Sequence, residues 1–122
     1  MESATREVLN AYYGAIEQND GWQAFVSDDI AFDGTGVKAT RGKDAYVEST
    51  IQFLQMVKAV QVKEMIVDGE KACIRVQYGL ASPKGKRASS EVVEILTVRD
   101  GKIVASSIYF DTVAFNHLMA EG

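Results

Sequence analysis

Cysteine and histidine each occur once among the 122 residues, as Cys73 and His117. A lone thiol forbids an internal disulfide, and no His/Cys cluster has zinc spacing, so no structural metal is expected. Positive charge is also sparse: 13 Lys and Arg stand against 17 Asp and Glu, for a net charge of −4. That balance argues against a nucleic-acid or anionic-membrane surface. The one basic cluster, Lys84-Gly85-Lys86-Arg87, reads as a solvated hairpin tip. No apolar run approaches the length of a membrane span, and Met1-Glu2-Ser3-Ala4-Thr5 lacks the shape of a signal peptide. The Gly-rich run Asp33-Gly34-Thr35-Gly36 has no following Gly-Lys-Ser/Thr and does not open a helix directly, so it is no phosphate loop. No cofactor, no nucleic-acid partner and no membrane are expected, and a cytoplasmic location follows.

What the chain does have is apolar content, 47% of its residues, enough for one globular domain over residues 1–122 with a sizeable core. Its organising stretch runs from Lys71 to Asp111 as three extended segments. From Ala72 to Leu80 the even positions are all apolar (Ala72, Ile74, Val76, Tyr78, Leu80), while the odd ones read Cys73, Arg75, Gln77, Gly79. This period of two predicts a strand with two unlike faces. The turn-rich segment Ser82 to Arg87 leads to a second strand, Ala88 to Val98. Arg99-Asp100-Gly101 then leads to a third, Lys102 to Asp111.

Ahead of this stretch, residues 4–18 predict an amphipathic helix with Val8, Tyr12, Ala15 and Ile16 on one stripe, flanked by Leu9 and Tyr13. Ser3 or Thr5 is the expected cap, and Asn19-Asp20-Gly21 the stop. Trp22 to Val26 reads as a short helical segment and Ile30 to Phe32 as a short strand. A second helix is predicted over about 44–56, with Tyr46, Thr50, Phe53 and Val57 on one side. Val60 to Val67 is a further strand, and Val113 to Met119 a short C-terminal helix. Helices gathered on one face of a mainly antiparallel sheet make an α+β domain.

Register decides which residues share a face. A first hairpin centred between Lys84 and Gly85 sets Arg75 opposite Glu94, a favourable cross-strand pair. A type I turn at Arg99-Asp100 with a Gly101 bulge sets Glu94 opposite Ser106 and Val92 opposite Ile108. One face then carries Cys73, Arg75, Gln77, Ser90, Val92, Glu94, Leu96, Ser106, Ile108 and Phe110. The other carries Ile74, Val76, Tyr78, Val93, Ile95, Ile103, Ala105 and Tyr109. The first, covered by helices and mixing charge with aromatics, is expected to line a pocket for a small hydrophobic or mixed-polarity ligand. The second has no helix left to cover it, which predicts a homodimer through the outer sheet face.

Several segments resemble the nuclear transport factor 2-like superfamily, which includes ketosteroid isomerase, limonene epoxide hydrolase and SnoaL-like polyketide cyclases. They are Tyr12 to Asp20, Ser27-Asp28-Asp29, Arg41 to Ala45, Asp100 to Ile103 and Tyr109-Phe110-Asp111. The resemblance implies a cone-shaped, curved sheet with N-terminal helices on its concave face, a cystatin-like α+β barrel. Set against the ketosteroid isomerases, Tyr12 falls at the oxyanion-hole tyrosine and Glu94 at its acid. The base position falls on Gly34, with Asp33 one residue early. Set against the epoxide hydrolases, Arg75 keeps an arginine, but Gln77 and Ile108 replace its two aspartates, and neither catalytic set is complete. The catalytic candidates are Tyr12, Glu94, Arg75 and Asp33, for proton transfer in an isomerase, cyclase or hydrolase. For Arg75 and Glu94 a structural cross-strand ion pair in the pocket wall is the favoured reading over catalysis. Candidate ligand contacts are Tyr13, Trp22, Phe32, Phe53, Gln77, Val92, Ser106, Ile108, Phe110 and Phe115. A non-catalytic binding or dimerisation module is the alternative.

Overall fold

The computed structural model describes residues 2–121. Helix α1 (Glu2–Gln18) is followed by a 3-10 turn (Trp22–Phe25), then strands β1 (Val26–Gly34) and β2 (Val37–Arg41) and helix α2 (Lys43–Leu54). Strands β3 (Val57–Asp68), β4 (Lys71–Ala81), β5 (Arg87–Arg99) and β6 (Lys102–Tyr109) form a meander that ends in α3 (Thr112–Glu121). The six strands make one curved, unclosed sheet in the order β2-β1-β6-β5-β4-β3, antiparallel except for β1 beside β6.

The buried stripe of α1 is Leu9, Tyr12, Tyr13 and Ile16, spaced three, four and seven apart as a single helix face requires. Val8 and Ala15, expected on that stripe, are only half-buried. Ser3 and Thr5 lie inside the helix rather than capping it, and the Thr5 hydroxyl reaches the Gly69 carbonyl at 2.7 Å. The helix stops where Asn19 turns left-handed, with Asp20 N–H closing back on the Ala15 carbonyl at 3.1 Å. Strand β2 is exposed along its whole length, so no alternation marks it in the sequence. Gly34 is required where β1 meets β6: a Cβ there would stand 1.9 Å from the Ile108 carbonyl oxygen.

The first hairpin corrects the expected register by one residue. A five-residue connection, Ser82 to Lys86, sets Ala81 opposite Arg87, Ile74 opposite Glu94 and Arg75 opposite Val93. Because the side-chain period is two, that single step turns all of β4 over. The energetics favour it. A cross-strand charge pair is worth at most about 1 kcal/mol, whereas burying each of Ile74, Val76, Tyr78 and Leu80 is worth about 1.5–3 kcal/mol. Those side chains face the helices, while Cys73, Arg75 and Gln77 face outward.

The second hairpin differs by two residues beyond Leu96 and Ser106 and so keeps its faces there. Next to the turn it differs by one, and Ile103, expected on the outer face, is buried in the core opposite Val98. Asp100 and Gly101 are both left-handed, the two-residue turn that matches strand twist, and pair Arg99 with Lys102. An irregularity between Thr97 and Val98 supplies the second step and sets Leu96 opposite Ser106 and Glu94 opposite Ile108. The core is therefore the even side of β4 and β5, with α1, Tyr46, Trp22, Val26, Ile30 and Ile103.

Candidate functional site

The inner face of the sheet, the two N-terminal helices and Phe115 of α3 line a partly open cavity of about 210 Å³. Glu94 sits on its wall, buried, between Ile74 and Ile108 on the neighbouring strands. The Tyr13 hydroxyl, from α1, donates to Glu94 Oε1, and the Tyr78 hydroxyl, from β4, donates to Oε2 at 2.8 Å. Beside this clamp the hydroxyls of Tyr12 and Tyr46 meet at 2.8 Å, linking α1 to α2. Edge-to-face contacts fix the rings: Phe53 on Tyr78 at 5.0 Å, Phe32 on Tyr46 at 5.3 Å and Phe110 on Phe115 at 5.6 Å. The Ser106 hydroxyl lies near that of Tyr46, outside hydrogen-bond geometry, and is a buried polar group without a partner among the described residues.

Electrostatically the wall is one carboxyl in an apolar cup. No Lys, Arg or His is among the residues that line it. Burial pushes the Glu94 carboxyl above its ordinary pKa, and the hydrogen bonds from Tyr13 and Tyr78 pull it part of the way back. Burial first, then nearby negative charge, holds Tyr13 and Tyr78 well above the usual phenol value, and Tyr12 is raised chiefly by burial and by Tyr46. Tyr46 is pushed up to about 12 by burial, with its bond to Tyr12 acting the other way. All four phenols stay protonated donors near neutrality. Among the described residues no cluster of His, Cys, Asp and Glu is arranged to hold a metal.

Of the catalytic candidates, Tyr12 and Glu94 share the cavity wall. Tyr13, not Tyr12, touches Glu94; it lies behind the wall rather than on it. Arg75 is on the outer face, bonded to Glu64 at 3.4 Å and Glu91 at 3.3 Å, so the expected Arg75–Glu94 pair does not exist. Asp33 also points outward, to the Ser107 hydroxyl at 2.5 Å. Of the ligand-contact candidates, Phe32, Phe53, Val92, Ile108, Phe110 and Phe115 line the cavity. Trp22 is a core residue, Gln77 is turned outward to Ser89 at 2.6 Å, and Ser106 is buried just off the wall. Tyr46 and Tyr78 were not among the candidates, yet both line the site. The signal for Tyr78 was its place in the apolar parity of Ala72 to Leu80. For Tyr46 it was the buried stripe of the second helix.

Two N-terminal helices on the concave face of a curved, unclosed, mostly antiparallel six-stranded sheet define the nuclear transport factor 2-like class of α+β domains. The sequence model of the SnoaL-like domain matches residues 9–106, and the chain belongs to that family. A candidate SnoaL-like polyketide cyclase from Jannaschia sp. superposes with TM-score 0.87 at 14% identity, over 100% of this chain and 95% of that one. TerC, co-crystallised with polyporic acid, superposes with TM-score 0.81 at 22% identity, covering 94% of this chain and 97% of its own. An NTF2-like protein of unknown function from Burkholderia pseudomallei gives 0.83 at 16% identity, with coverage of 95% and 97%. At these identities the likeness is one of fold. Among curated proteins none matches the chain.

Proposed function

We propose that the chain binds a small, largely apolar molecule in the aromatic cavity and exchanges a proton with it through Glu94, in chemistry of the isomerase or cyclase kind. The observation that carries this is the placement of Glu94: a lone desolvated carboxyl on an apolar wall, its orientation fixed by Tyr13 and Tyr78. A base with a raised pKa is closer in strength to a weak carbon or oxygen acid. In the Tyr12–Tyr46 pair one hydroxyl hydrogen bridges the two oxygens, which leaves the other for an oxygen on which charge develops. TerC, co-crystallised with polyporic acid, supports the binding half of this reading.

The test is solvent-deuterium incorporation into a panel of one-ring ketones, with and without a second polar group, followed by NMR. Wild type should accelerate exchange at the carbon next to the carbonyl, and Glu94→Gln should lose at least about 100-fold of that acceleration. The second reading, a binding module without catalysis, is favoured by one observation: both Glu94 oxygens already accept phenol hydrogens. It predicts no acceleration for any ketone that binds.

The outer sheet face supports a homodimer, though with a narrower apolar surface than the sequence implied. Ile66, Ile95 and Tyr109 are 58%, 42% and 47% exposed there, with Cys73 beside them. No helix among the described residues is long and apolar enough to cross a membrane. A single exposed thiol is compatible with the reducing cytoplasm.

A further inference from the structure

We propose that the preferred occupant of the cavity is a one-ring organic amine, bound as its ammonium with Glu94 as counter-ion. This rests on the reading of the cavity as a ligand site and adds the charge and size of what enters it. Tyr13 and Tyr78 each have Glu94 as their hydrogen-bond acceptor, one on each oxygen, and neither has another acceptor among the described residues. A carboxylate accepts both hydrogens and keeps lone pairs free on each oxygen. A buried carboxylate without a cation is costly, and no basic side chain lines the cavity to relieve it. Arg75, opposite Val93 next to Glu94 on the ladder, is spent on Glu64 and Glu91 across the other face.

The rest of the wall suits a cation. Seven aromatic rings line the cavity: Tyr12, Phe32, Tyr46, Phe53, Tyr78, Phe110 and Phe115. Ring faces attract ammonium groups, most strongly where water is excluded. An anion would meet Glu94 and no positive partner. The volume of about 210 Å³ compares with roughly 150 Å³ for an apolar cavity that takes up benzene, which leaves room for one ring and a short side chain.

Isothermal titration of benzylamine, benzyl alcohol and benzoate decides the matter, because the first two share a shape and differ in charge. Benzylamine should bind at least about tenfold tighter than benzyl alcohol, and benzoate not at all. In Glu94→Gln the two neutral and cationic ligands should become equal to within about threefold, with folding checked by thermal melting. The affinity for benzylamine should rise with pH as Glu94 ionises, and that for the alcohol should not. The groups facing Glu94 are Tyr12 and Tyr13 from α1, Tyr46 from α2 and Tyr78 from β4, all with raised pKa values, so only Glu94 titrates in that range. Equal affinity for alcohol and amine in the wild type, or an amine preference that survives Glu94→Gln, overturns the charge assignment alone. Binding of none of the three at millimolar concentration overturns it together with the ligand-site reading beneath it.

Discussion

The hydroxyl of Tyr78 reaches Glu94 Oε2 at 2.8 Å, across the concave face from one strand to the next. This bond holds the carboxyl in one orientation and at the same time satisfies a phenol that is nearly fully buried. Tyr78→Phe keeps the ring against Phe53 and removes only the bond. The expected loss is about 1.5–3 kcal/mol of unfolding free energy, the range for a hydrogen bond to a charged group. Urea denaturation measures it. With one donor gone, the Glu94 carboxyl should also titrate at still higher pH, read from its side-chain carbon signal by NMR.

Glu94 makes folding sensitive to pH in a defined direction. Its pKa in the folded protein is raised, chiefly by burial. Below its ordinary value of 4.5 the carboxyl is neutral in both folded and unfolded chains and contributes no pH slope. Between that value and the raised one, the folded state holds more protons, so stability falls as pH rises, and levels off above the raised value. Subtracting the Glu94→Gln stability from that of wild type at each pH isolates this contribution. The difference should decline from pH 4.5 upward; a difference that climbs instead would mean a Glu94 pKa below the ordinary one.

Arg75→Ala separates the two faces of the sheet. The guanidinium is about two-fifths exposed and pairs with two exposed carboxylates, Glu64 and Glu91. Such surface pairs are worth at most about 1 kcal/mol, less still in high salt. Stability should change by no more than that, and the Glu94 titration should not move. An Arg75 that faced the cavity would predict the opposite, a clear upward step in the Glu94 midpoint once the cation is gone.

That contrast also marks how much of the fold is legible in the sequence. Alternation from Ala72 to Leu80 announced a two-faced strand, and the stripe Val8, Tyr12, Ala15 and Ile16 announced the helix over it, although the buried face is turned slightly, to Leu9, Tyr12, Tyr13 and Ile16. Which face of β4 turns inward was set by one residue of loop length between Ser82 and Lys86, and no local pattern counts that residue. An Arg75–Glu94 charge pair favours the neighbouring register, and the burial of Ile74, Val76, Tyr78 and Leu80 outweighs it. The parity of Glu94 with Ser106 and Ile108 came through because the second hairpin departs by two residues, an even number. Strand β2 was invisible because all five of its residues face solvent.

Gly34→Ala tests the junction that shapes the cavity wall at Ile108. An added Cβ would sit 1.9 Å from the Ile108 carbonyl oxygen, at a residue whose φ is +142°. No side-chain rotation relieves a clash with backbone, so β1 must move away from β6. Gly36→Ala is the control: its φ is +69°, but a Cβ there meets nothing within 4 Å. The control should lose about 1–2 kcal/mol, the cost of left-handed backbone for a residue with a side chain. Gly34→Ala should lose more and should also weaken ligand binding, seen by thermal melting with and without benzylamine.

The outer face supplies the last prediction. Cys73 lies between Ile66 and Ile95 along the ladder, and Val93 faces Tyr109 one step further. These side chains form an apolar strip on strands β3 to β6, bordered by the Arg75 ion pairs. A two-fold axis through the strip would lay it on its own copy, burying the apolar atoms and leaving the charges at the rim. Ile95→Glu puts a carboxylate at the centre of that contact, where like charges from both copies would meet. Light scattering after size exclusion should show a dimer for the wild-type chain and a monomer for the variant. Far-ultraviolet circular dichroism should be unchanged, because Ile95 is 42% exposed and its side chain is outside the core. A wild-type chain that runs as a monomer at high micromolar concentration would overturn the dimer outright. A variant that stays dimeric would move the contact to another surface.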